Sequence, residues 1–255
     1  MVAAGNTSSA RGAIRHRPAD RRDLPVPQST VLVQIYGLTT PEDAQMVNAL
    51  GPDHVGVVLD EGYDAWDAVD LRTARDIVAE LSGVSVVALS LAVDRDQILR
   101  TVEAVAPRIL HLARAADDLA LDDLGSLRSE IAPVELMVTI GVIDRHSVEQ
   151  AEHLSEVADF LLLDSAHPHS GKVGASGHVH DWTLSRRIVA CTSVRCILAG
   201  GLGPENVSEA IDAVGPFGVD SETCTSSDLD RRRKDPERVR LFIERARSSG
   251  SPARS

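Results

Sequence analysis

Cys196-Ile-Leu-Ala-Gly-Gly-Leu-Gly-Pro-Glu-Asn-Val207 holds one complete strand–turn–helix transition. The apolar run predicts a strand over Cys196–Ala199, buried on both faces. Gly200, Gly201 and Gly203 read as a tight turn, and Pro204-Glu205-Asn206 opens a helix. The unit recurs in both directions along the chain. Strands are expected at Val31–Tyr36, His54–Leu59, Ser85–Leu91, Ile109–Leu112, Leu136–Ile140, Phe160–Asp164 and Gly218–Asp220. Helical spacing separates them, with starts marked by Thr40-Pro41, Asp94, Ser147 and Asp235-Pro236. Eight units in about 220 residues is the count of an α/β fold, the (β/α)8 barrel, in a single domain. The competing doubly wound sheet usually has fewer units and a glycine-rich first loop. Here the first loop is Tyr36-Gly-Leu-Thr-Thr40, without GxGxxG, and no dinucleotide or P-loop signature follows.

The 255 residues carry 26 basic and 38 acidic side chains, a net charge of −12. So acidic a body repels nucleic acid and anionic lipid. With 3% aromatics it offers no base-stacking platform. No apolar stretch is long enough for a membrane span. Cys191, Cys196 and Cys224 form neither CxxC nor a metal-ligand pattern, so reduced thiols in a cytoplasm are expected. Residues 1–28, rich in Arg, Pro, Ala and Ser, read as a flexible tail. The barrel then covers 29–248, and 249–255 form a second tail.

In such a barrel the active site lies at the carboxyl ends of the strands. Asp164 ends the run Phe160-Leu-Leu-Leu-Asp164. There a carboxylate is partly desolvated and suited to acid–base work, or it caps a loop. Gly200 and Gly201 precede a helix N-terminus, a place suited to phosphate, or simply a tight turn that needs glycine. Tyr36 ends the first strand. A phenol can donate a proton or steady an oxyanion, but it is a poor base near neutrality, and packing at the mouth is the plainer role. His111 on the fourth strand faces either the interior or the helices, and a hydrogen-bonded buried histidine is the plainer reading. The loop after the sixth strand holds His167, His169, His178 and His180 among glycines. It reads as a lid over substrate, and its spacing gives no metal motif. No cofactor and no metal are expected.

Several of these motifs together resemble the phosphoribosylanthranilate isomerase family. Gln34–Ala44 is similar to its opening K-I-C-G-L-T-x-x-E-D-A, and Phe160–Ser165 to its L-L-L-D-S. Gly174–Trp182 is similar to G-G-T-G-x-x-F-D-W, and Ile197–Val207 to I-L-A-G-G-L-x-P-E-N-V. Pro216–Asp220 and Lys234-Asp235-Pro236 resemble its eighth unit. The likeness runs from about residue 31 to 247, in the family's order. It implies an Amadori rearrangement, in which a phosphoribosylated amine is ring-opened and loses a proton from C2. It also implies that Asp164 is the general acid, that Gly200 and Gly201 hold phosphate, and that Asp220 is the strand-eight aspartate. The expected partner is a small phosphorylated sugar, and the chain is a monomer or homodimer.

Four positions depart from the family. Its base, a cysteine, is Tyr36 here. Its S-P-R after strand two, with an arginine facing substrate, falls on Ala65-Trp66-Asp67. Its Q-L-H-G becomes His111-Leu-Ala-Arg114. Its D-V-S-S-G becomes Asp220-Ser221-Glu222-Thr223-Cys224. The expectation is an isomerase with an altered substrate, using Asp164 and Tyr36. Gly200, Gly201, Asp220, Ser221, Asp67 and His111 face that substrate. The alternatives are orthodox tryptophan biosynthesis, a lyase or hydrolase using the histidine-rich loop, and a non-catalytic sugar-phosphate-binding protein.

Overall fold

The computed structural model describes residues 31–60, 62, 65–114, 118–165 and 180–249. Eight parallel strands close into a barrel in chain order. They are β1 (Leu32–Ile35), β2 (His54–Val58), β3 (Ser85–Ser90), β4 (Ile109–Leu112), β5 (Glu135–Val142), β6 (Phe160–Ser165), β7 (Arg195–Leu198) and β8 (Gly218–Ser221). Eight α-helices among the described residues alternate with them. They are α1 (Pro41–Leu50), α2 (Leu71–Ala79), α3 (Arg95–Val105), α4 (Leu121–Glu130), α5 (Arg145–Leu154), α6 (Trp182–Cys191), α7 (Val207–Val214) and α8 (Pro236–Ser249). The (β/α)8 expectation holds. None of these helices is long and apolar enough to cross a membrane.

Alternation along each strand divides the apolar side chains into two cores. Val33, Ile35, Val55, Val57, Leu161 and Leu163 face outward and pack with the helices. Tyr36, Val58, Val87, Ile109, Met137, Leu162 and Ile197 face inward and fill the barrel. Phe160 joins this inner core, with its ring edge-on to His54 at 5.6 Å and under the Arg195 guanidinium at 3.7 Å. Parity places Asp164, two residues beyond inward-facing Leu162, on the interior side as well. Asp220 shares that side, because it is in register with Gln34, two residues before inward-facing Tyr36.

Local chemistry fixes the helix starts. Thr40 accepts from the Asp43 N–H with Pro41 in the first turn, and Asp94 accepts from Gln97 N–H. The expected start of α5 at Ser147 is corrected. Asp144 caps that helix by accepting from His146 N–H at 2.7 Å, so the helix begins at Arg145. Ser147 lies inside the first turn and donates to the Gly141 carbonyl at 2.8 Å. Asn206 faces backward. Its Oδ1 accepts from Gly203 N–H at 2.9 Å and its Nδ2 donates to the Gly201 carbonyl at 3.0 Å, tying the glycine turn.

A strap after β8 crosses the barrel mouth. Asp43 accepts two Arg233 hydrogen bonds at 3.0 Å and one from the Lys234 backbone at 3.1 Å. Arg232 donates to the carbonyls of Trp66 and Ala68, and the Arg231 guanidinium lies 3.8 Å over the Trp66 ring. These contacts hold the loop after β2, and with it Asp67, against the end of β8.

Candidate active site

A recess of about 310 Å³ opens at the carboxyl ends of β6, β7 and β8. Asp164, Gly200, Gly201, Asp220 and Ser221 line it with Leu202, Glu222 and Cys224. The glycine turn forms one wall, with φ of 81° at Gly200 and 65° at Gly201. A Cβ at Gly200 would stand 2.3 Å from Ser165 Oγ and 2.8 Å from its backbone nitrogen, so only glycine fits. The opposite wall is the short 3₁₀ turn Thr223–Thr225 and the residues leading into it. Backbone from two turns thus borders one space, an arrangement suited to a phosphate group. The Ser221 hydroxyl points outward and donates to the Leu202 carbonyl at 2.7 Å, so its side chain braces the turn.

Two carboxyls share this recess. Burial pushes Asp164 up to about 6, against a hydrogen bond from the Ser165 N–H. Burial also pushes Asp220 up to about 7; the Gln34 hydrogen bond opposes this and the nearby Asp164 charge adds to it. Both therefore exchange protons near neutrality, as acid–base catalysis requires. Strand register explains how Asp220 is held, because Gln34 on β1 is paired with Asp220 on one side and His54 on the other. His54 Nδ1 lies 3.1 Å from Gln34 Oε1, and Gln34 Nε2 donates to Asp220 Oδ1 at 3.1 Å. Burial holds the His54 imidazole down at about 4, so it is neutral. Donation then runs from His54 through Gln34 to Asp220.

Tyr36 and His111 are placed differently from their expected roles at the substrate. The Tyr36 ring crosses the barrel interior over Gly56, where a Cβ would meet it at 2.5 Å. Its hydroxyl lies 2.8 Å from His111 Nδ1, and His111 Nε2 lies 2.6 Å from Thr139 Oγ1. Both side chains are buried, and neither borders the recess. Burial raises the Tyr36 phenol well above its ordinary value, with Asp220, Glu222 and Asp67 adding to the effect. Burial lowers His111 to about 3. Each satisfies the other, so the pair reads as an interior hydrogen-bonded pillar.

Asp67 is also drawn away from the recess. Its carboxyl is buried beside the Glu222 side chain, the two meeting over Gly37, and burial raises both carboxyls. Lys234 is buried beside them and donates to the Glu222 carbonyl at 2.8 Å and to Ser226 Oγ at 3.2 Å. Gly37, at φ 72°, makes room for this pair. His180 lies 3.1 Å from Ser165 Oγ and 2.6 Å from Ser185 Oγ, behind the glycine turn. His167, His169 and His178, like residues 1–28 and most of the expected second tail, lie outside the described residues. Among the described residues no three His, Cys, Asp or Glu side chains converge as metal ligands.

Gln34 and Lys234 lie inside family-like motifs but carried no expected role of their own, and Thr139 lies in none of them. The signal for Gln34 was available: it is the one polar side chain in Leu32–Ile35, two residues before inward-facing Tyr36.

Comparison with known proteins gives a consistent result. The family model described as N-(5'phosphoribosyl)anthranilate (PRA) isomerase matches residues 33–245. The N-(5'-phosphoribosyl)anthranilate isomerase of Methanocella arvoryzae is 34% identical over 216 residues, covering 84% of this chain and 97% of that protein. The crystal structure of phosphoribosyl anthranilate isomerase from Thermotoga maritima superposes with a TM-score of 0.72 at 28% identity. It covers 86% of this chain and 100% of that one. A structure of such an isomerase in complex with reduced 1-(o-carboxyphenylamino)-1-deoxyribulose 5-phosphate gives 0.70 at 27% identity, with coverage of 86% and 100%.

Proposed function

Since this chain belongs to the N-(5'-phosphoribosyl)anthranilate isomerase family and is an enzyme of that isomerase type, we propose that it rearranges a 5-phosphorylated N-ribosylamine to the corresponding 1-amino-1-deoxyketose. The observation that supports this most is the recess itself. A carboxyl that titrates near neutrality, Asp164, shares it with a glycine turn built for phosphate. Gly200 and Gly201 hold the phosphate end. Asp164 protonates the ring oxygen as the C1–O bond breaks, and the nitrogen lone pair forms the C1=N bond. Loss of the C2 proton then gives an enaminol, which becomes the ketone. N-(5'-phosphoribosyl)anthranilate is the first candidate substrate, because the similar proteins carry it in their names.

One observation favours a second reading, in which the amine carries no carboxylate. Asp67 and Glu222 place two carboxyls side by side at the barrel mouth, each disfavouring the other's charge, and a benzoate there would add a third like charge. Parallel turnover of N-(5'-phosphoribosyl)anthranilate and N-(5'-phosphoribosyl)aniline separates the two. Faster turnover of the anthranilate supports the first reading and faster turnover of the aniline the second. Turnover of neither by folded protein refutes both.

A further inference from the structure

Resting on the isomerase reading above, we infer that Asp220 is the base that takes the C2 proton, and that position 36 has passed from proton transfer to structural support. The Tyr36 hydroxyl is spent on His111, which is in turn fixed by Thr139, and all three are buried in the barrel interior. Carrying a proton from substrate would require this chain of contacts to break and a phenolate to form beside three acidic residues. The C2 proton therefore needs another acceptor. Asp220 lines the same recess as Asp164, from two strands away, and faces inward. Its orientation is imposed from behind. Gln34 presents its amide N–H to Asp220 because its carbonyl oxygen is already turned to His54. That polarity favours the carboxylate form, as a base requires. The titratable groups around Asp220 are Asp164 across the recess, Glu222 and Lys234 at the end of β8, Tyr36 on β1 and, through Gln34, His54 on β2.

The steps balance. Asp164 gives its proton to the ring oxygen, the C1–O bond breaks, and C1=N⁺ forms. The Asp220 carboxylate takes the C2 proton. The C2–H electron pair becomes the C1=C2 bond, and the C1=N pair returns to nitrogen. The enol hydroxyl then gives its proton to Asp164, and C1 takes the proton held by Asp220. Both carboxyls end as they began, and the sugar is isomerised without any other reactant. Of the two, Asp164 is the stronger acid and Asp220 the stronger base.

The test uses the full chain with N-(5'-phosphoribosyl)anthranilate as probe and compares wild type with Asp220→Asn, Asp220→Glu and Tyr36→Phe. Folding is checked by circular dichroism. The expected result is a kcat loss of about 100-fold or more in Asp220→Asn, with KM changed by less than about fivefold. The residual activity of this variant should lack the acid limb of the wild-type pH profile. Asp220→Glu, which keeps a carboxyl, should recover part of the loss and covers the case of an unfolded asparagine variant. Tyr36→Phe should keep kcat within about tenfold. Wild-type turnover with Asp220→Asn within threefold of it, or with Tyr36→Phe as impaired as Asp220→Asn, overturns this assignment alone. A folded wild type inactive on this probe and on the aniline analogue overturns the isomerase reading and the assignment with it.

Discussion

Replacing Asp220 with asparagine should stabilise the protein above neutral pH. The carboxyl is 7% exposed and moves from an ordinary 3.8 to about 7 on folding. Each pH unit of such displacement corresponds to about 1.4 kcal/mol, so the gap amounts to about 4 kcal/mol once the group is ionised in both states. The folded state binds the proton more tightly than the unfolded state. Stability from this group is therefore greatest below pH 4, falls as pH rises from 4 to 7, and is level above. The substituted amide cannot ionise and still offers its Oδ1 to Gln34. Because Asp164 competes for the same proton, we expect the variant to exceed wild type by about 1–4 kcal/mol at pH 8. The gain should shrink towards zero at pH 4. Urea unfolding at pH 4.5, 6 and 8 measures it, and at this chain length each kcal/mol also moves Tm by about 2–4 °C. A variant less stable than wild type at pH 8, or a difference that does not change with pH, would refute the claim that burial strains this carboxylate.

Other consequences follow from the same contacts. Gly200→Ala places a Cβ against Ser165 at a φ of 81° and should lower stability by about 2–4 kcal/mol, read by thermal unfolding, while raising KM for the phosphorylated substrate. Tyr36→Phe leaves His111 Nδ1 without its partner and should lower stability by about 1–3 kcal/mol in urea unfolding. Asp43→Ala releases Arg233 and strands the buried Lys234 N–H, so a loss of about 2–4 kcal/mol is expected, with faster proteolysis in the strap.

The barrel was legible because its information is local and repeated. Eight buried apolar runs, most of them followed by a turn and a marked helix start, leave few alternatives, and Ile109–Leu112 is a strand with the expected ends. The start of α5 was misplaced because Asp144 and Ser147 are both good capping residues, and only geometry shows that Ser147 turns back to Gly141. Asp164 and the glycine turn were legible for a related reason, since both are contiguous with a strand end. What the sequence hides is pairing across the barrel. Tyr36 and His111 are 75 residues apart, and Gln34 and Asp220 are 186 apart. No local pattern shows that a phenol finds an imidazole and is thereby withdrawn from the recess. Asp67 and Glu222 meet only because Arg231, Arg232 and Lys234 fold a strap over both. The polarity of Gln34 likewise depends on a histidine twenty residues further along.

Asp164 as the acid of an isomerase is the claim on which the proposed reaction depends most. The decisive measurement is the rate at which purified full chain consumes N-(5'-phosphoribosyl)anthranilate, followed by loss of its fluorescence, for wild type and for Asp164→Asn at pH 7. The expected result is steady turnover by wild type and a loss of at least about 100-fold in the variant, with its fold intact. Turnover by Asp164→Asn at the wild-type rate would contradict it.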